Sequence, residues 1–122
     1  MLKKDYMERQ IEAISNTFAA ILFGKDKVKT ILETEQEEDS AAAMEDDILE
    51  RMVKKYLSEK KINEAENLIF NSINENKTLK KFEIALYFFN EVNQYNDEAL
   101  LNNGYSREEI NDGINHLKSF YN

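Results

Sequence analysis

The sequence predicts an all-α fold of antiparallel helical hairpins, preceded by an extended amphipathic N-terminal helix. Its 122 residues include no proline and only three glycines, at positions 24, 104 and 113. A sheet protein needs turn residues every ~8–12 positions, so this scarcity favours helices. Apolar residues also recur three and four positions apart along most of the chain, which is the period of one face of an α-helix.

The N-terminal helix is predicted from about residue 5 to residue 23, with Gly24 at the position where glycine commonly closes a helix. Its apolar residues alternate between spacings of four and three, which gives a narrow seam of the coiled-coil type. The seam consists of Met7, Ile11, Ile14, Phe18 and Ile21. It packs on the chain's own domain, meets a second copy or docks as an arm on a neighbouring protein. We predict the second arrangement, a homodimer formed through these five residues.

A second helical pattern covers residues 26–38, with Val28, Ile31 and Leu32 on its apolar side. Lysines cluster at its start and acidic residues at its end, and the helix dipole disfavours both placements. This helix is therefore predicted to be short and held by packing.

The net charge of −8 arises from one short segment. Residues 33–50 hold nine acidic side chains and no basic one. A charge block of this kind is usually a solvated face or hinge. The chain accordingly divides into an N-terminal amphipathic arm (1–32), an acidic connector (33–43) and a helical-hairpin domain (44–122). We expect no nucleic-acid partner, because binding there depends on Lys and Arg that neutralise phosphates.

The hairpin domain is predicted to begin with a helix over residues 42–57, a turn over 58–61 and a helix that starts at 62 and ends within 74–76. The first of these helices has one broad apolar stripe, made of Met44, Ile48, Leu49, Met52, Val53, Tyr56 and Leu57. The second carries Ile62, Ala65, Leu68, Ile69 and Ile73. Ala65 is a small residue at the point where the two helices must come close.

Three further helices are predicted. They cover residues 78–95, then 96–101 with Asn96 as its cap and Gly104 as its end, and then a last helix to about residue 121. Ser106 followed three residues later by glutamate is a capping box that opens the last helix. Gly113 lies inside that helix at a cost of roughly 1 kcal/mol relative to alanine. We expect a close helix crossing there, with no room for a side chain.

The sequence around the 58–61 turn is Tyr56-Leu57, the turn, and then Ile62-Asn63-Glu64-Ala65. This order of residue types is similar to the inner half of a tetratricopeptide repeat. Lys60 stands where that family prefers glycine, no proline follows near Lys77, and no second copy is found. A solenoid needs at least three repeats. The resemblance therefore implies tetratricopeptide-like hairpin geometry without a repeat array.

Two further motifs are KDYMERQIE at residues 4–12 and YSREEINDG at residues 105–113. With the hairpin they span nearly the full length. On these motifs the whole chain resembles a family of small uncharacterised helical proteins from Firmicutes. That family is a domain of unknown function, so the resemblance implies a fold and a bacterial origin but no activity.

The sequence predicts a cytoplasmic protein without a membrane span. It has no cysteine, which fits a reducing compartment. Asp5, Glu8 and Glu12 interrupt the N-terminal segment, so no signal-peptide apolar region forms. The longest apolar stretch, residues 18–23, is far short of the ~20 residues that cross a bilayer.

Few side chains could carry chemistry. His116 shares a helix face with Asp112, but one histidine and one carboxylate cannot complete a metal shell. Asp46, Asp47 and Glu50 could draw a divalent cation, yet we interpret them as ordinary acids near a helix N-terminus. No nucleophile–base pair or phosphate loop is evident. We therefore predict no enzyme activity, no catalytic residue, no metal site and no cofactor.

Aromatic residues are numerous in the last third of the chain. They form either core or a groove between helices that could accept a peptide helix. The groove candidates are Tyr87, Phe88, Tyr95 and Tyr105. The functional prediction is a non-enzymatic protein–protein interaction or scaffold module of unknown pathway that self-associates through its N-terminal helix. The alternative is a regulatory protein that binds a small molecule or divalent metal through His116 or the three acids.

Overall fold

The computed structural model describes residues 40–121, and between these limits the chain is helical without strands. The helices are Ser40–Ser58 (α1), Ile62–Glu75 (α2), Leu79–Asn93 (α3), Asp97–Asn102 (α4) and Arg107–Tyr121 (α5). α1 packs on α2 and α3, α2 also packs on α3, and α3 packs on α5. The predicted all-α class is confirmed. The predicted N-terminal arm and the connector up to residue 39 lie outside the described residues.

α1 begins at Ser40, two residues before its predicted start. Residues 40–43 of the predicted acidic connector are therefore helical. Three of these four residues are alanines, and alanine has the highest intrinsic helix propensity. The alanines therefore extend α1 into the segment that the sequence assigns to the connector.

A tight turn joins α1 to α2 and makes the two helices an antiparallel hairpin. The backbone N–H of Lys61 donates to the carbonyl oxygen of Tyr56 at 2.8 Å. Lys60 has a φ of +62°, a left-handed conformation that a side chain disfavours and glycine adopts freely. The Lys60 ammonium donates to the hydroxyl oxygen of Tyr95 at 3.2 Å, which ties the turn to the end of α3.

α3 is the central helix of the core. The sequence predicts burial on more than one side of it, and the structure confirms this. The buried apolar residues of α3 are Phe82, Ile84, Ala85, Leu86, Phe88, Phe89 and Val92. Around it pack Leu49, Val53 and Leu57 of α1, Ile62, Ala65, Ile69 and Ile73 of α2, and Ile110, Ile114 and Leu117 of α5.

Side-chain caps begin three helices, at Asn96 and Ser106 as the sequence predicts and also at Thr78, where the sequence places the start of a helix. Thr78, Asn96 and Ser106 each accept a hydrogen bond from the backbone N–H three residues ahead, at 3.1, 2.7 and 3.1 Å. Each bond satisfies a donor that the first turn of a helix leaves without a backbone partner. Gly104, with a φ of +70°, follows α4 as predicted.

Gly113 lies where α5 packs on α3. A Cβ atom placed on Gly113 would lie 2.6 Å from Phe89 Cζ and 2.8 Å from Glu66 Oε2. Both distances are far below van der Waals contact. The predicted lack of room for a side chain is confirmed, and it explains why glycine stands inside this helix. None of the helices between residues 40 and 121 combines the length and the apolar character that crossing a bilayer requires.

Candidate functional site

The carboxylate of Asp46 is buried at the corner where α1 meets α2 and α3. The side chain is 1% exposed, and its Oδ2 accepts a hydrogen bond from the Thr78 hydroxyl at 2.8 Å. Its Oδ1 lies 3.8 Å from Nζ of Lys81, which is itself fully buried. That ammonium donates to the carbonyl oxygens of Ser72 at 3.0 Å and Asn76 at 2.7 Å. Lys81 thus closes the C-terminal end of α2 and faces the Asp46 charge at the same time.

Glu50 lies one turn further along α1 and is also paired. Its Oε1 is 3.0 Å from Nζ of Lys80, and its Oε2 is 3.6 Å from Nζ of Lys54. Because α1 begins at Ser40, no acidic residue lies in its first turn. The prediction that Asp46, Asp47 and Glu50 interact with the helix dipole at the N-terminus is therefore wrong. Asp46 and Glu50 instead pair with Lys81 and Lys80 of α3, and these pairs hold α1 on the domain. Nowhere between residues 40 and 121 do three His, Cys, Asp or Glu side chains gather as a metal site would require.

His116 is exposed on α5 and stacks on aromatic rings. Its ring centroid is 4.5 Å from that of Phe70, with 19° between the planes, and 5.0 Å from that of Phe120. We call these three residues the aromatic stack. Phe70 and Phe120 are half-buried, and Phe89 lies behind Phe70 in the core. The stack joins α2 to α5 and presents ring edges and an imidazole at the surface.

The four groove candidates separate into core and surface. Phe88 is fully buried, and Tyr105 is 1% exposed, so neither side chain offers a surface to a partner. Tyr87 and Tyr95 are half-buried, and each ring has a lysine ammonium over its face, Lys54 at 5.5 Å and Lys60 at 4.7 Å. Burial and the nearby Glu91 raise the pKa of Tyr87 to about 12. Phe88 and Tyr105 therefore belong to the core, whereas Tyr87 and Tyr95 keep part of their surface exposed.

Glu66 and Tyr105 form a polar pair beside the Gly113 crossing. The Tyr105 hydroxyl donates to Glu66 Oε2 at 2.5 Å, a short bond to a carboxylate. Burial raises the pKa of Glu66 above its usual value of 4.5, the Tyr105 hydrogen bond lowers it, and the charge of Glu109 raises it again. Burial and this carboxylate also raise the pKa of Tyr105. The surroundings of Glu66 therefore favour the protonated carboxyl more than water does.

α1 presents an apolar line on the side away from the core. Met44, Ile48 and Met52 lie one turn apart, and their exposed fractions are 65%, 52% and 38%. We call these residues the α1 stripe. The sequence groups them with Leu49, Val53 and Leu57 in one broad apolar face, whereas the structure buries these three and leaves the stripe exposed. The stripe is therefore apolar surface that the described helices do not cover.

The predicted self-association residues Met7, Ile11, Ile14, Phe18 and Ile21 lie outside the described residues. The aromatic stack, in contrast, is a surface that the sequence interpretation missed. Its signal is nevertheless in the sequence. His116 and Phe120 are four residues apart and lie outside the buried face of α5. Phe70 likewise lies outside the buried face of α2. Ring-bearing residues on the outer faces of two helices indicate a surface contact between them.

These features define an all-helical domain. Its buried charged side chains hold helices together, and its surface includes the aromatic stack and the α1 stripe. The chain belongs to a family of unknown function (DUF6483), and the family model matches residues 1–122. Neither the curated proteins nor the solved structures include a match to it.

Proposed function

We propose that this protein is a non-enzymatic protein–protein interaction module. The aromatic stack is the observation that carries the proposal. Phe70 and Phe120 keep part of their ring surface exposed, and His116 adds a polar group at its edge. Aromatic residues are enriched at interface hot spots because they provide a large, rigid contact area.

The test compares proteins captured by the full chain from extracts of the source organism. A His116→Ala variant removes the exposed ring, and Asn115→Ala changes an exposed neighbour on α5 that is outside the stack. The proposal expects one set of proteins that wild type and Asn115→Ala retain and His116→Ala loses. Identical sets for all three proteins would contradict a binding role for the stack.

Self-association through the N-terminal segment is the second part of the proposal. The support is the seam of five apolar residues at spacings of four and three between residues 7 and 21. Ile14→Asp places a charge in that seam, whereas Asn16→Asp adds the same charge on the opposite side of the helical pattern. Sedimentation velocity should show a dimer for wild type and Asn16→Asp and a monomer for Ile14→Asp. A wild-type monomer at high concentration would refute this part.

The hairpin of α1 and α2 supports a scaffold role, because antiparallel helix pairs present broad surfaces on a rigid support. Its likeness to a tetratricopeptide unit is part of this proposal. The alternative, a divalent-metal regulator, draws no support from Asp46 and Glu50. Each of these carboxylates already faces a lysine ammonium.

A further inference from the structure

The α1 stripe is most exposed at the N-terminal end of α1. Exposure falls steadily from Met44 to Met52, so the uncovered apolar surface is largest next to Ser40, where the preceding chain joins α1. The segment that precedes Ser40 in the sequence is joined through the backbone to the end of α1 where this surface is largest. Covalent linkage gives this segment a high effective concentration there, in the mM range for a short linker.

That segment carries apolar residues in a register that matches the stripe. In an antiparallel helix pair, facing residues are equally far from the centre of the turn. Leu32 and Met44 are each six residues from position 38, and Val28 and Ile48 are each ten residues from it. A turn of three residues at 37–39 lies within the roughly 2–8 residues that usually connect neighbouring helices.

The charges on the two elements are complementary as well. Lys27 and Lys29 stand on either side of Val28, and Glu45 and Asp47 belong to the first half of α1. Glu45 keeps about half of its side chain exposed, 3.7 Å from the Lys81 ammonium. A helix whose terminal charges oppose its dipole needs packing to form, and residues 26–38 have such charges.

We propose that residues 26–36 fold back on α1 of the same chain as an antiparallel helix, with Leu32 on Met44 and Val28 on Ile48. This cover extends the domain by one helix and does not depend on whether the chain self-associates. It leaves the seam of residues 7–21 as the apolar surface available to a second copy.

Disulfide formation in the full chain tests the pairing, because the sequence contains no cysteine of its own. The two test variants are Leu32→Cys with Met44→Cys, and Val28→Cys with Ile48→Cys. The control is Leu32→Cys with Glu98→Cys. Glu98 is exposed on α4, at the end of the bundle opposite Met44. Each variant is oxidised as an equal mixture of unlabelled and nitrogen-15-labelled protein, and the products are assigned by mass spectrometry.

The proposal expects both test pairs to form a disulfide within one chain about ten-fold or more faster than the control, as a preformed contact requires. Disulfide-linked dimers that join a labelled to an unlabelled chain would show that a second copy covers the stripe, and would overturn the proposal. Test pairs that oxidise no faster than the control would overturn it as well, since residues 26–36 would then have no preference for α1.

Discussion

Replacing Gly113 with alanine tests the helix crossing directly. Alanine in a helix interior is favoured over glycine by roughly 1 kcal/mol, so in an open position the substitution would stabilise the fold. At this crossing the new Cβ would lie 2.6 Å from Phe89 Cζ and 2.7 Å from Phe89 Cε1. Phe89 is fully buried, and Glu66 Oε2, at 2.8 Å, is held by Tyr105. Overpacking of a filled core costs typically about 1–3 kcal/mol. We expect a net loss of about 1 kcal/mol.

Urea unfolding measures this loss as a lower midpoint with an unchanged slope. Asn115→Ala is the matched control, because it adds alanine to an exposed site of the same helix and should stabilise slightly. A double variant with Phe89→Leu should lose less than the sum of the two single changes, since the shorter side chain leaves room for the Cβ. A Gly113→Ala protein as stable as wild type, or more so, would refute the close crossing.

Two further predictions concern buried charges. Lys81→Met leaves the Asp46 carboxylate without its cation and should cost about 3–5 kcal/mol by urea unfolding, and Asp46→Asn in the same chain should restore part of it. No recovery in the double variant would contradict the pairing of the two charges. The raised pKa of Glu66 means that the folded state holds this proton more tightly, so stability falls as pH rises from 4.5 through the folded-state pKa. Glu66→Gln keeps an acceptor for Tyr105 and should gain stability relative to wild type over that range, whereas a constant difference at every pH would contradict the raised pKa.

Local features of the fold were predictable because their causes lie within a few residues of sequence. The caps at Thr78, Asn96 and Ser106 each depend on a side chain and a backbone N–H three residues away. The role of Gly113 was predictable for a related reason. Glycine inside a helix is unfavourable, and packing is the usual explanation for its presence.

Long-range pairings were not predictable from one sequence. Asp46 meets Lys81 across thirty-five positions, and nothing in the local pattern selects that lysine over Lys80 or Lys54. The apolar residues of α1 cover too broad a face for the sequence to show which of them face the core. The aromatic stack depends similarly on how α2 and α5 cross, which only the packed structure determines.

The buried charges explain why α1 can accept a further helix. Asp46 and Glu50 lie on the same side of α1 as Leu49 and Val53, and their lysine partners belong to α3 and to α1 itself. α1 is thus held by one face, through apolar contacts and ion pairs together. Buried ion pairs add little net stability over well-packed apolar residues, but removing one partner is costly. The ion pairs therefore disfavour any rotation of α1 that would turn the α1 stripe into the core. The stripe stays available to the segment that precedes Ser40.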